Sequence, residues 1–382
     1  MNKKLLTLAI GAALTSAPMF ANAAVTVYGA AHLSVDMLDN GAATNSTLNT
    51  LSSNSSFIGF KAEEDLGGGM KALAGAEWQV AMDNQAIGIF NRNVFVGLGG
   101  GFGTVRLGQY DDVMKQVGRS VDLFMSEQIG ESRALTRQNG HYVDTSIATL
   151  AASVALVDQD ARLNNSINYE TPDMAGFKVT VNYGMANTNA ASTAADVVAY
   201  ALGAQYAAGP MYFGLAYKSS EVDVGTTKQT VDSYRLSASF KMLNDALRFV
   251  GFYQSVSYPV NYGFGVTTDQ ATYGVGASYK IGNGTIKGQY YVVDSFSADT
   301  SGTSGANLMA IGYDHSLSKT TTVYVTYAKV TNDLNSAYSV IGAGHGNPND
   351  ATTGMPANNT SAGMALGGND PSAISIGMKV SF

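Results

Sequence analysis

From residue 25 to the final phenylalanine, apolar and polar side chains alternate in runs of about ten residues. Residues 233–242 (SYRLSASFKM) place Tyr234, Leu236, Ala238, Phe240 and Met242 on one face and Ser233, Arg235, Ser237, Ser239 and Lys241 on the other. The stretches 177–185, 272–281 and 374–382 repeat the pattern. A period of two is that of a β-strand with one apolar face. Sixteen such segments can be placed: near 25–35, 56–64, 70–81, 92–98, 103–110, 162–170, 177–185, 197–207, 210–220, 230–242, 246–256, 270–281, 284–294, 306–317, 320–331 and 372–382.

The connections sort by length. Short ones at 65–69, 99–102, 171–176, 208–209, 243–245, 282–283 and 318–319 interleave with long ones at 36–55, 82–91, 111–161, 186–196, 221–229, 257–269, 295–305 and 332–371. An even strand number, with short turns at one rim and long loops at the other, predicts an all-β fold: a transmembrane antiparallel 16-stranded β-barrel with short periplasmic turns and long external loops. In hydrocarbon every backbone N–H and C=O must be paired, and strands achieve this only in a closed sheet. The uncharged face meets lipid. The other face, with its Lys, Arg, Ser, Thr and Gly, needs water, and sixteen strands enclose enough space for an aqueous channel. Tyrosines at strand ends (Tyr28, Tyr110, Tyr169, Tyr279, Tyr313) suit the aromatic girdles of such a barrel.

One connection stands apart. Over residues 111–161 the alternation stops for some fifty residues, and Asp111, Asp112, Asp122, Glu127 and Glu131 mix with Lys115, Arg119, Arg133 and Arg137. A loop of that length is uncommon unless it has work to do. The reading here is that it folds into the barrel and narrows the bore. Arg106 points inward on alternation alone, opposite in register to Val105 and Leu107.

Composition supports the barrel. Only 13% of residues are charged, against ~25% in soluble domains. No segment has 18 consecutive apolar residues, which argues against helical spans. The absence of cysteine removes disulfides and thiolate metal sites. Residues 1–23, with Lys3 and Lys4, an apolar core from Leu5 to Leu14 and Ala21-Asn22-Ala23, read as a cleaved secretory signal, leaving 24–382 as the barrel. Removing Lys3 and Lys4 from the 22 basic residues leaves 20 against 29 acidic ones, a formal charge near −9 that argues against nucleic acid as a partner.

Five blocks resemble the trimeric general porins of Gram-negative bacteria: VTVYGAAHLSVD (25–36), GFKAEEDLGGGMKALAGAEWQ (59–79), NRNVFVGLGGGFGTVRLGQYDD (91–112), RLNNSINYETPDMAGFKVTVNYG (162–184) and the terminal SIGMKVSF (375–382). The resemblance implies an outer-membrane homotrimer in contact with lipid and lipopolysaccharide, passing ions and small hydrophilic solutes. It also implies a third external loop whose carboxylates oppose wall arginines. Arg92 and Arg162 match wall arginines of the family, while the first such position falls on Phe57, so an aromatic replaces a cation. The Pro-Glu-Phe-Gly motif of enteric third loops is missing, and Asp111, Asp112, Asp122 and Glu127 all remain candidates for the opposing acid. The terminal aromatic, Phe382, matches the family's assembly signal.

The functional expectation is a transverse field between loop acids and wall arginines that selects solutes by charge. The alternative is ion pairing within the loop, Asp111 with Lys115 or Asp122 with Arg119. A substrate-specific channel would need an aromatic track, for which only Phe57 and Tyr212 are inward on the pattern. An enzyme would need a nucleophile cluster, and no HExxH, CxxC or GxSxG is present. His32 is read as a lumen or girdle residue. No cofactor or metal is expected.

Overall fold

A computed structural model describes residues 24–41, 47–83, 92–125, 129–137, 158–185, 197–224, 227–259, 266–341 and 368–382. The proposed signal 1–23 and Glu127 lie outside the described residues, as does most of the last long connection. The strands are β1 (Ala24–Asp39), β2 (Thr47–Ser53), β3 (Phe57–Gly67), β4 (Met70–Gln79), β5 (Val94–Gly100) and β6 (Gly103–Asp111). After two short helices, α1 (Val113–Arg119) and α2 (Arg133–Thr136), come β7 (Arg162–Glu170), β8 (Phe177–Gly184), β9 (Val197–Ala208), β10 (Met211–Val224) and β11 (Thr227–Met242). The chain finishes with β12 (Leu247–Tyr258), β13 (Thr268–Ile281), β14 (Gly284–Val293), β15 (Ala306–Ser316), β16 (Thr321–Asn332) and β17 (Ser372–Ser381).

These seventeen segments make sixteen barrel strands. β2 and β3 are two halves of one strand: β1 pairs its upper part with β2 (Leu33↔Ser53) and its lower part with β3 (Ala30↔Phe57), and Asn54–Ser56 interrupt the ladder. Every neighbour is antiparallel, and β1 closes the sheet on β17 from Ala30↔Ser381 to Asp39↔Ser372. Gly29 and Phe382 complete the seam by exchanging both backbone hydrogen bonds, at 2.9 and 3.1 Å.

The faces separate as the alternation requires. Val96, Leu98, Leu107, Leu202, Phe213, Leu236, Val275 and Ile376 are exposed on the outer wall, where lipid would cover them. Among the described residues no helix could cross a membrane; the crossing is made by strands.

The structure corrects three expectations. The long connection 36–55 is mostly strand, because β1 runs to Asp39 and β2 starts at Thr47. The connection 221–229 is a strand extension in which Glu221↔Thr230 leads through Asp223↔Lys228 to Val224↔Thr227. The first stretch holds Thr47 and Thr50 and the second Val222, Val224 and Thr227 among polar residues, all β-favouring, so backbone pairing continues beyond the lipid-facing apolar stripe. Finally, Tyr28 and Tyr110 face the lumen and not the girdle. Tyr28 packs edge-on against inward Phe57, and Tyr110 edge-on against inward Phe95.

Candidate pore constriction

The described residues between β6 and β7 lie along the inside of the barrel. Asp112 starts α1: its side chain accepts from Lys115 N at 2.9 Å, in the usual N-cap manner. The apolar side of α1 then settles on a wall of very small residues. A Cβ added at Gly203 would lie 2.3 Å from Val113, and one at Gly214 would lie 2.9 Å from Val117, so only glycine lets the helix come this close. Ala201 and Ala216 complete that floor. Further on, Leu123 covers Gly276, Phe124 covers Gly312, and Gly130 lies against Ala310 and Ala328. The loop therefore follows the wall from β8 to β16. Near its turn it meets the last connection, where Gly130 N donates to Val340 O at 2.7 Å.

Charge holds the same path. Arg235, on β11, is 0% exposed and grips the returning limb: it donates to both Asp160 oxygens (2.7 and 3.2 Å) and to Met114 O on the outgoing limb (2.7 Å). Burial alone would raise the Asp160 carboxyl, but Arg235 holds it well below the usual carboxylate range. Lys218 pairs with Asp112 at 2.8 Å and also donates to Asp158 O at 3.0 Å. Val113, Met114, Val117, Phe124, Ile129 and Leu135 are fully buried, at about 1.5–3 kcal/mol each. With the ion pairs added, these contacts fix the loop to the wall over its described length.

The predicted site residues divide into two groups. Asp111 pairs with Lys115 (2.9 Å) and with Arg162 (3.1 Å), so one loop acid does meet a wall arginine, next to Asn93. Burial draws the Lys115 ammonium down to about 8, against the pull of Asp111. Asp112 and Asp122 do not face the bore; this is a correction. Asp112 is 0% exposed beneath α1, and Asp122 is 6% exposed. Asp122 accepts from Phe124 N (2.9 Å), Ser132 N (2.8 Å), Ser132 Oγ (2.7 Å) and Gln289 Nε2 (3.0 Å), tying the two limbs of the loop to each other and to β14. Such short polar side chains satisfy loop backbone N–H groups that would otherwise be buried unpaired.

Across the lumen, the wall from β1 to β7 carries the other group. Arg92 donates to Glu77 Oε2 at 3.2 Å and lies over Phe57, 4.4 Å from the ring centre. The aromatic at position 57 thus supports a neighbouring cation. Tyr28 Oη donates to the other Glu77 oxygen at 2.8 Å. Arg106 donates to Asn168 Oδ1 at 3.0 Å and lies over Tyr110 at 4.7 Å. Lys61, in the same inward register as Phe57, is exposed. Neither Arg106 nor Lys61 has a carboxylate partner among the described residues. The sequence reading did not single out Lys218, Arg235, Asp160 or Gln289. The available signal was an inward strand position holding Arg, Lys or Gln beside inward Gly and Ala, which marks wall that something must cover.

Comparison with known proteins gives the family. The family model for Gram-negative porins matches residues 8–335. The chain belongs to the Gram-negative porins. This porin is 30% identical over 389 residues to outer membrane porin protein 32 of Delftia acidovorans, covering 100% of both chains. It is also 30% identical over 256 residues to the major outer membrane protein P.IB of Neisseria meningitidis serogroup B (strain H44/76), covering 65% of this chain and 68% of that one. Among solved structures, an anion-selective porin from Comamonas acidovorans superposes with a TM-score of 0.72 at 25% identity, covering 94% of this chain and all of that one. The trimer form of OmpT from Vibrio cholerae shares the fold, with a TM-score of 0.65 at 14% identity, covering 94% of this chain and 99% of that one. The porin is an outer-membrane diffusion channel and not an enzyme.

Proposed function

We propose that this porin is an anion-leaning passive pore whose constriction lies between the 111–161 loop and the wall of β1–β7, with Arg92, Arg106, Arg162, Phe57 and Asp111 at its edge. One observation carries the sign. The described loop acids are spent on neighbours, Asp111 on two cations and Asp112 and Asp122 under the loop, while Arg106 and Lys61 have no carboxylate partner among the described residues. A cation without a counter-charge in a narrow, low-dielectric passage attracts anions more strongly than the same charge in open water. The anion selectivity of the Comamonas porin agrees in sign.

The test is the reversal potential of refolded mature protein in planar bilayers under a KCl gradient. An anion-leaning potential is expected, and Arg106→Gln should move it toward the cation side. A cation-leaning potential in the unsubstituted protein would overturn the reading. Insertion in steps of three would support a homotrimer, an N-terminus at Ala24 would support signal cleavage, and loss of heat-modifiable trimer in Phe382→Ala would support the assembly role of that residue.

A further inference from the structure

The wall opposite the loop pairs its cations with aromatic rings, and charge selection alone does not call for that. Four rings lie within it. Tyr28 meets Phe57 edge-on at 6.0 Å, and Phe95 meets Tyr110 edge-on at 5.2 Å. Tyr28 lies across Gly59 and Phe95 across Gly75, since a Cβ added at either glycine would come within 2.6 Å of the ring. The two glycines thus let the rings rest against the barrel wall, and both rings remain partly exposed. Each pair holds a cation: Lys61 lies 5.7 Å from the Tyr28 ring centre, and Arg106 lies 4.7 Å from Tyr110 and 5.8 Å from Phe95.

We propose that this strip is a binding track for planar aromatic carboxylates of the benzoate type, with Arg106 taking the carboxylate and Phe95 and Tyr110 taking the ring. The inference rests on the anion-leaning reading of the same constriction. A guanidinium carries its N–H donors in its own plane, where a carboxylate binds in bidentate fashion. Of those donors, Arg106 gives one to Asn168. A benzoate bound there has its ring coplanar with the carboxylate, so the ring extends along the wall onto the neighbouring aromatics, where offset or edge contacts add to the charge attraction. An aliphatic acid of equal charge gains the ion pair alone. Chloride gains it too and passes without being held.

The experiment uses the refolded porin in planar bilayers at neutral pH in KCl. The reversal potential is read first, and then transient block of the ion current by benzoate and by cyclohexanecarboxylate, which matches benzoate in charge and closely in size but cannot stack. Benzoate should bind roughly five- to tenfold tighter than cyclohexanecarboxylate. The gap should narrow in Phe95→Leu and in Tyr110→Leu, with folding checked by heat-modifiability. Equal block by the two acids in an anion-leaning channel overturns the aromatic track and leaves the ion preference standing. A cation-leaning potential overturns the ion preference and the track with it. The comparison of the two acids needs no variant, so a substitution that fails to fold cannot hide the answer.

Discussion

Arg235 is the most committed side chain of the wall. It is fully buried, binds Asp160 with both terminal nitrogens, reaches Met114 O, and donates through Nε to Gln254 at 2.8 Å. Replacing it with leucine strands the buried Asp160 carboxylate and a backbone carbonyl, a loss of about 3–5 kcal/mol. Arg235→Leu should therefore lower the unfolding midpoint in detergent and make single-channel current noisier as the loop works loose. A quiet channel of unchanged stability would show that apolar packing alone holds the loop. Lys115 acts differently. Its ammonium titrates near 8, so it is mostly charged at neutral pH and loses its proton as pH rises through that value. The proton leaves from beside Asp111, and the local charge becomes more negative by one unit. Anion preference should decline between roughly pH 7 and 9, and Lys115→Met should flatten that pH profile.

At the scale of elements, the loop and the wall are fitted to one another by glycine. Gly203→Val adds a branched side chain whose Cβ alone would lie 2.3 Å from Val113. Overpacking of this kind costs about 1–3 kcal/mol, and since the barrel ladder is stiff, α1 should yield and move into the bore. The expected result is lower single-channel conductance with the barrel intact by circular dichroism; unchanged conductance would mean that α1 does not border the bore. This fit also explains what the sequence could show. Alternation located the strands closely, because lipid on one side and water on the other impose a period of two at nearly every position. It also found inward Arg106 and the inward glycines. It could not separate Asp111 from Asp112 and Asp122, because whether a loop acid meets a wall arginine, caps α1 or ties two limbs together depends on the path of the loop. That path is set by contacts with β8 to β16, far away in sequence. Tyr28 and Tyr110 misled for a related reason: their positions near strand ends suggested girdle, while strict counting from Val25, Val27 and Leu107 would have put both inside.

For the whole molecule, an acidic chain is proposed to form an anion-leaning pore, and location resolves the conflict. Asp65, Asp173 and Asp245 belong to the short turns, where they are exposed. Asp65 and Asp173 each accept a turn N–H, from Gly67 at 2.8 Å and Gly176 at 2.6 Å, while Asp245 lies 3.8 Å from Lys241. At ~0.1 M salt the screening length is about 10 Å, so exposed rim charges reach the constriction weakly, while a partly buried cation beside the passing ion is screened far less. These rim acids contribute to the formal charge of −7 without acting strongly on the bore. Neutralising the three turn acids together, as Asp65→Asn, Asp173→Asn and Asp245→Asn, retains their side-chain oxygens as acceptors. It should leave the reversal potential at 0.1 M KCl close to that of the unsubstituted porin, whereas the single change Arg106→Gln moves it clearly. Lowering the salt to 0.01 M lengthens the screening distance to about 30 Å, and the turn acids should then begin to count. A triple variant that shifts the potential at 0.1 M as far as Arg106→Gln does would mean that selectivity is set by the summed field of the barrel and not by Arg106 and Lys61, which have no carboxylate partner among the described residues.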